Sequence, residues 1–357
     1  MFAKSNITGI EISSADLRLV ELSGSQKKQI KTIGALKLPQ GLFEQGVLKD
    51  EAGLVVQLKS LFKSLKLSLR GRKVALALEG SAVVIRLVKI PTAAGVDLAE
   101  LVEIEAEQQF QHDLQDLYFT WKTLTNTANA NETAVLLVGA KKTVVDQYIS
   151  VLKKIGCRVR IIDCDIFAQL NILEYSYGPL NELSSLISIS TNTTQVVFVG
   201  EGQYLYSREI AFGFNTYINT IADSLAIPAD QASTLLLAGC DDPSTVSGSL
   251  ETAIKLGNGQ LCAEIELIMD FFFQTTSLAP PMLRVKRIFL AGLASYVYNL
   301  VGTLSEKIGA TITIVDPFAK IPVVKEASSA LLNKYPAQYT TVMGLALREE
   351  EAVGQGV

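Results

Sequence analysis

Apolar and polar residues alternate along two well-separated stretches of the chain. In "GIEISSADLRLVEL", residues 9–22, Ile10 and Ile12 and then Leu17 and Leu19 stand two apart around a polar turn. Alternation of period two marks a half-buried strand, so this is strand, tight turn, strand. "LISISTNTTQVVFV", residues 186–199, repeats the pattern in register. Ile10 aligns with Ile187, Ile12 with Ile189, Ser13 with Ser190 and Val20 with Val197, an offset of 187 − 10 = 177. A repeat at about half of 357 residues predicts two related domains, each opening with a β-hairpin.

Helical spacing follows each hairpin. Leu54, Leu58, Leu61, Phe62 and Leu65 share one face, and the strand "KVALALEG" comes next. In the second half the strand "YLYSREIAFG" precedes a helix with Tyr217, Ile218, Ile221 and Leu225 inward. A helix from about Gln260 then leads to the strand "RIFLAG". After it, Leu293, Val297, Leu300, Val301, Leu304 and Ile308 predict an amphipathic helix. Strands alternating with helices predict an α/β fold.

Extra material lies at about 73–163. "KVALALEGSAVVIRLVKIP" predicts two strands joined at Gly80-Ser81. "DLAELVEIEAEQQF" predicts a helix with Leu98, Leu101, Val102 and Ala106 inward and Glu100, Glu103 and Glu107 solvated. "TAVLLVGA", "KTVVDQYISVLKKIG" and "CRVRIIDCD" complete a strand–helix–strand unit. The expected layout is a first domain over 1–183 holding an inserted subdomain at about 73–163, a second over 184–345, and a tail over 346–357 that frays. The polar stretches 125–133 and 240–249 are expected as exposed loops.

Composition narrows the function classes. Net charge is −4 and the densest basic cluster is "RGRK", 70–73, so a nucleic-acid footprint is absent. The four cysteines lack C-x-x-C or zinc spacing and His112 is the single histidine, so reduced, buried thiols are expected rather than a metal site. No signal-peptide core opens the sequence. The uncharged run 288–304 splits into strand, turn and helix, and is short for a membrane span.

A duplicated α/β unit with hairpins opening both halves and an insertion in the first resembles the actin/Hsp70/FtsA-like superfamily, whose domains are ribonuclease-H-like. The order and spacing of "GIEISSADLRLVEL", "VALALEGSAVVIRLVKIP", "EIEAEQQF", "LLVGAKKTVVDQYISVLKKIGCRVRIIDCDIFAQLNILE", "REIAFGFNTYINTIA", "FFFQTT", "RIFLAG" and "TTVMGLALR" resemble the PilM family of type IV pilus biogenesis, over about residues 8–348. That family is related to the cytoplasmic domain of GspL from type II secretion. The resemblance implies a cytoplasmic scaffold, held at the inner membrane by the N-terminal peptide of a PilN-like partner. Pilus motor ATPases or the platform protein are further partners it implies. The peptide groove would involve the insertion, at Val83, Val84, Ile85, Leu87, Phe119 and Trp121. Trp121, the only tryptophan, reads first as core and second as groove lining. Exposed apolar faces of the insertion could support a homo-oligomer.

The resemblance also implies a nucleotide site, with a subdomain at about 214–275 clamping the nucleoside, and here its motifs are altered. Where the family has "GIDIGSSS", this chain has "GIEISSAD": Glu11 is one methylene longer than aspartate, Ser13 replaces a glycine, Ser14 persists and Asp16 adds negative charge. A serine held at positive φ would cost about 1 kcal/mol. In the second hairpin "DIGATTT" becomes "SISTNTT". Ser188 replaces the aspartate and Ser190 the glycine, leaving the hydroxyls of Thr191 and Thr193. After Gly213, the expected A-E-x-x-K becomes "ASTLL", with Ser233 for the acid and Leu236 for the lysine. The last glycine run shrinks to Gly292. Four altered loops predict a degenerate pocket and no catalysis. The alternatives are a working ATPase binding ATP with magnesium, the GspL-like component of a secretion system, and a small-molecule kinase of the same fold.

Overall fold

The structure is a computed structural model. It describes residues 7–24, 27–44, 46–91, 97–110, 113–124, 132–276, 284–324 and 334–349. The chain divides into two compact units. Unit 1 holds 1–22, 32–168 and 345–357; unit 2 holds 23–31 and 169–344. His112 and loop residues 125–131 lie outside the described residues, as does the tail from 350.

Unit 1 opens with β1 (Thr8–Ile12), β2 (Asp16–Ser23) and β3 (Gln29–Lys37), then a short hairpin of β4 (Phe43–Glu44) and β5 (Val47–Leu48). Helix α1 (Glu51–Ser64) follows. The Asp50 carboxylate accepts from the Gly53 amide at its start, and Leu54, Leu58, Leu61 and Phe62 are buried, as the spacing predicts. β6 (Lys73–Leu78) lies beside β1 in parallel. Next come β7 (Val83–Pro91), α2 (Leu98–Gln109), β8 (Leu117–Thr123), β9 (Glu132–Lys141), α3 (Lys142–Lys154) and β10 (Arg158–Cys164); α4 (Asp165–Tyr177) follows, most of it assigned to unit 2. The main sheet runs β3-β2-β1-β6-β10, and a separate three-stranded sheet runs β7-β9-β8.

This topology corrects the insertion's limits. β6 and β10 are parallel partners inside the main sheet, and Val151, Leu152 and Ile155 at the end of α3 pack into its core. The added layer is therefore β7 to β9 with α2, not 73–163. Its own core joins Val88, Ile90, Val102, Ala106, Val135 and Leu137. Glu100, Glu103 and Glu107 face solvent.

Unit 2 repeats the plan. β11 (Ser184–Ile189), β12 (Thr194–Gly200) and β13 (Gln203–Ile210) precede α5 (Phe214–Leu225), α6 (Ala229–Asp241) and α7 (Gly248–Thr275). Then come β14 (Arg287–Ala291), α8 (Leu300–Ile308) and β15 (Thr311–Ile314). The sheet order is β13-β12-β11-β14-β15, the same third-second-first-fourth-fifth order as in unit 1. The echo holds at the level of register. Glu11 pairs with Arg18 and Ser188 with Gln195, and 188 − 11 = 195 − 18 = 177.

Two helices differ from expectation. α7 starts at Gly248, not near 260, because the glycines in "KLGNGQ" mask its periodicity. Gly257 is required by packing: a Cβ there would come within 2.7 Å of the Tyr217 ring. Tyr217 in turn donates its hydroxyl to buried Asn258 at 2.9 Å. The helix expected from Leu293 is a single 3₁₀ turn, Leu293–Tyr296, and α8 begins only at Leu300, after Asn299 in left-handed conformation. α9 (Thr340–Leu347) closes the chain's described elements. Among the described residues no helix is long and apolar enough to cross a membrane.

Candidate functional site

The β1–β2 turn is closed by Ser13. Its Oγ accepts from the amides of Ala15 at 3.2 Å and Asp16 at 3.0 Å, and its own amide donates to Asp16 O at 3.0 Å. The β11–β12 turn repeats this 177 residues on. Ser190 Oγ accepts from the Thr193 amide at 3.2 Å, and the Ser190 amide donates to Thr193 O at 2.8 Å. Amides turned inward make an anion-binding nest. In both turns serine has taken up donors that would otherwise form it. Ser13 is not among the residues at positive φ, so the expected strain is absent. Ser14, at the tip, is half-buried.

Glu11 is held by a cation on the neighbouring strand. Arg18 Nη1 donates to Glu11 Oε1 at 3.2 Å and Nη2 to Asp16 Oδ2 at 2.8 Å. Burial drives the Glu11 pKa up to about 7. Arg18 opposes that rise, whereas the negative charges of Asp16 and Asp165 add to it. Glu11 Oε2 is buried and has no hydrogen-bond partner among the described residues. A carboxylate tied to an arginine and rimmed by an aspartate is poorly disposed to take a magnesium–phosphate group.

In unit 2 the row across the sheet is Ser188, Gln195 and Glu209. The aspartate expected on β11 is absent there, but a carboxylate stands two strands away. Glu209 accepts from Gln195 Nε2 at 3.4 Å and from Thr193, and burial raises its pKa. Sequence reasoning missed Glu209; the alternation in "YLYSREI" carried the signal, because it puts Glu209 on the same face as Gln195.

The start of α5 is folded onto the second turn. The Phe214 and Asn215 amides donate to Ser190 O and Thr191 O, each at 2.9 Å. A Cβ on Gly213 would lie 2.6 Å from the Asn192 backbone, so only glycine permits that approach. Free amides at a helix start attract anions, and these two already have carbonyl partners. Gly292 has φ +89°, and a Cβ there would meet Ile189 O at 2.1 Å. It lets the strand end of β14 lie against that of β11.

The nucleoside positions need a correction. Leu236, where the family has lysine, is fully buried in the unit 2 core with Ala232 and Tyr217. It lines no surface, and neighbouring Ser233 is half-buried. Taken unit by unit, the residues present do not fit a magnesium nucleotide. Among the described residues, no group of three or more His, Cys, Asp or Glu side chains could hold a metal ion. The cysteines are free thiols; Cys157, Cys164 and Cys262 are buried, and burial pushes the Cys157 thiol up to about 11.

The six residues expected at a peptide groove do not form one surface. β7 and β8 are the two edges of their sheet, with β9 between them. Val84 and Phe119 flank Gly139, and Trp121 pairs with Leu137, on the face that α2 covers. Val83, Ile85 and Leu87 alternate to the opposite face. Trp121 is 36% exposed and not part of the core. Phe119 packs edge-on against Phe110, ring centroids 6.0 Å apart. Of the six, Leu87 and Trp121 are exposed, on different faces and different edges.

Two sheets of identical strand order, each opened by a hairpin, with an added layer in the first, define an actin-like protein. Solved structures show the same fold. A structure described as the PilM–PilN type IV pilus biogenesis complex is 22% identical, covering 98% of this chain and 100% of that one, with a TM-score of 0.83. The ethanolamine utilization protein EutJ from Carboxydothermus hydrogenoformans is 10% identical, covering 97% and 91%, at 0.55. MreB5 of Spiroplasma citri bound to AMPPNP is 11% identical, covering 96% and 95%, also at 0.55. The family described as type IV pilus assembly protein PilM matches residues 9–350. The chain belongs to that family.

Proposed function

We propose that this chain is a non-catalytic scaffold of the type IV pilus inner-membrane assembly complex. It binds the cytoplasmic N-terminal peptide of a PilN-like membrane protein, and through it stays on the cytoplasmic side, peripheral to the membrane. The pilus motor ATPases or the platform protein are its further contacts. Membership of the PilM family supports the pathway, and the relative solved as a PilM–PilN complex supports the kind of partner.

The observation that carries the non-catalytic reading is the pair of serine-closed turns. Amides that an actin-like ATPase would turn towards phosphate bond here to Ser13 and Ser190 within their own turns. Glu11 held by Arg18, and Ser188 on β11 where the family pattern has aspartate, support the same reading.

Two titrations of the full chain test this. Calorimetry with the N-terminal peptide of a PilN-like protein should show saturable binding; none at high micromolar peptide sinks the partner assignment. A thermal melt with ATP and magnesium should be flat. Ligand at 100 Kd would stabilise by about 2.7 kcal/mol and raise Tm by several degrees, which would restore the ATPase reading.

A further inference from the structure

A cavity of about 410 Å³ opens between α3 and β10, an edge strand of the unit 1 sheet among the described residues. Half-buried Ile149, Val159 and Ile162 and buried Cys157 form its floor, and exposed Lys153 and Arg158 stand on its rim. Ile149 and Lys153 lie one turn apart on α3, so one line of the helix supplies both a floor group and a rim charge. Arg160 also reaches the rim but already interacts within the chain.

Helix α2 of the added layer has the opposite shape and charge. It packs on its sheet through Val102 and Ala106, and on its outer side Ile104 is 54% exposed. Glu100 lies one turn before Ile104, Glu107 one turn after it and Glu103 beside it, all exposed. A lone exposed isoleucine is ordinary on a protein surface. What sets this one apart is its ring of carboxylates and a cation-rimmed apolar cavity in the same unit. The two do not meet within one chain. Ile104 stays exposed, and among the described residues the side chains of Glu100, Glu103, Glu107, Lys153 and Arg158 are in no ion pair.

We propose that these two surfaces join copies of this chain: Ile104 of one copy seats on Ile149, Val159 and Ile162 of the next, and Glu100, Glu103 and Glu107 face Lys153 and Arg158. Because the surfaces differ, the contact is heterologous and can repeat from copy to copy. Shape and charge together favour a second copy over other occupants. Bilayer binding needs apolar groups that protrude beyond the cations, and here the floor is recessed below them. A free inorganic anion would use the rim and leave the apolar floor in water.

Sedimentation velocity of the full chain tests the proposal. At low salt the mean mass should rise above that of one chain between low and high micromolar concentration, and it should fall back as salt screens the rim charges. I104S and the charge reversals E100K/E103K/E107K and K153E/R158E should each raise the dissociation constant by about tenfold or more. Every substituted position is exposed, so thermal melts of the variants should stay close to that of the unaltered chain. The two reversal variants, mixed, should assemble again, because each then carries the surface the other lacks. Monomer mass for the unaltered chain up to high micromolar concentration overturns the proposal. So does assembly that persists in both reversal variants, or a mixture of them that stays monomeric. Binding of a monomeric chain to phosphatidylglycerol vesicles, lost in K153E/R158E, would overturn it too by assigning the cavity to lipid.

Discussion

Arg18 meets Glu11 at 3.2 Å across the first hairpin, where the two residues are direct strand partners. The ion pair sits where the family pattern has an aspartate. Arginine therefore engages one oxygen of the acid from within the sheet, Oε1, and leaves buried Oε2 without a hydrogen-bond partner among the described residues.

The pH dependence of stability reports on that acid. Burial raises the Glu11 pKa from 4.5 to about 7, so the folded chain holds a proton that the unfolded chain releases. With more protons bound in the native state, stability falls as pH rises from 4.5 to about 7 and is flat above it. The span is at most about 3 kcal/mol, and less in practice because the side chain keeps 17% of its exposure. Thermal melts across this window should show the decline in the wild-type chain and lose it in Glu11→Gln.

The serine closures carry their own test. Ser13→Gly removes the acceptor for the Ala15 and Asp16 amides and should cost about 1 kcal/mol in denaturant unfolding. Ser190→Gly should cost a similar amount. Neither should change affinity for the PilN-like peptide. A large loss of affinity in Ser13→Gly would show that the turn takes part in partner recognition.

Two glycines on α7, two residues apart, should respond in opposite ways. Gly257→Ala drives a methyl to within 2.7 Å of the Tyr217 ring and should destabilise by about 1–3 kcal/mol. Gly259→Ala meets open space on the same helix and should stabilise by up to about 1 kcal/mol. Equal effects of the two substitutions would remove the packing explanation for Gly257.

Gly292→Ala combines a left-handed φ with a Cβ 2.1 Å from Ile189 O. Backbone cannot yield as a flexible side chain can, so the loss should exceed that of Gly257→Ala. Soluble yield and Tm of the two variants, compared side by side, check the order.

Much of the fold was legible because each element obeys its own period. The hairpins announced themselves through alternation and the offset of 177, and the α1 face was read residue by residue. The insertion's limits were not legible, since β6 and β10 look in sequence like any buried strands and only pairing assigns them to the main sheet. The start of α7 was hidden because Gly257 and Gly259 answer to a neighbouring ring and to open space, not to helix propensity.

At the site, the missing glycines at 13 and 190 were visible, but what fills their place was not. A serine reads as a loss in a phosphate loop, and only its hydrogen bonds show it as a substitute acceptor. Leu236 was read as a lost lysine, whereas it is a core residue. Glu209 escaped notice because its relation to Ser188 runs across three strands.

The serine turns also bear on how the chain is made. Their bonds link residues three apart, so closing them costs little loop entropy, unlike the parallel pairing of β1 with β6. The first hairpin can close on the ribosome before β6 and β10 have been synthesised, and the second before β14 and β15 have been. Each half thus carries a local closure of its own, made by one serine in a turn.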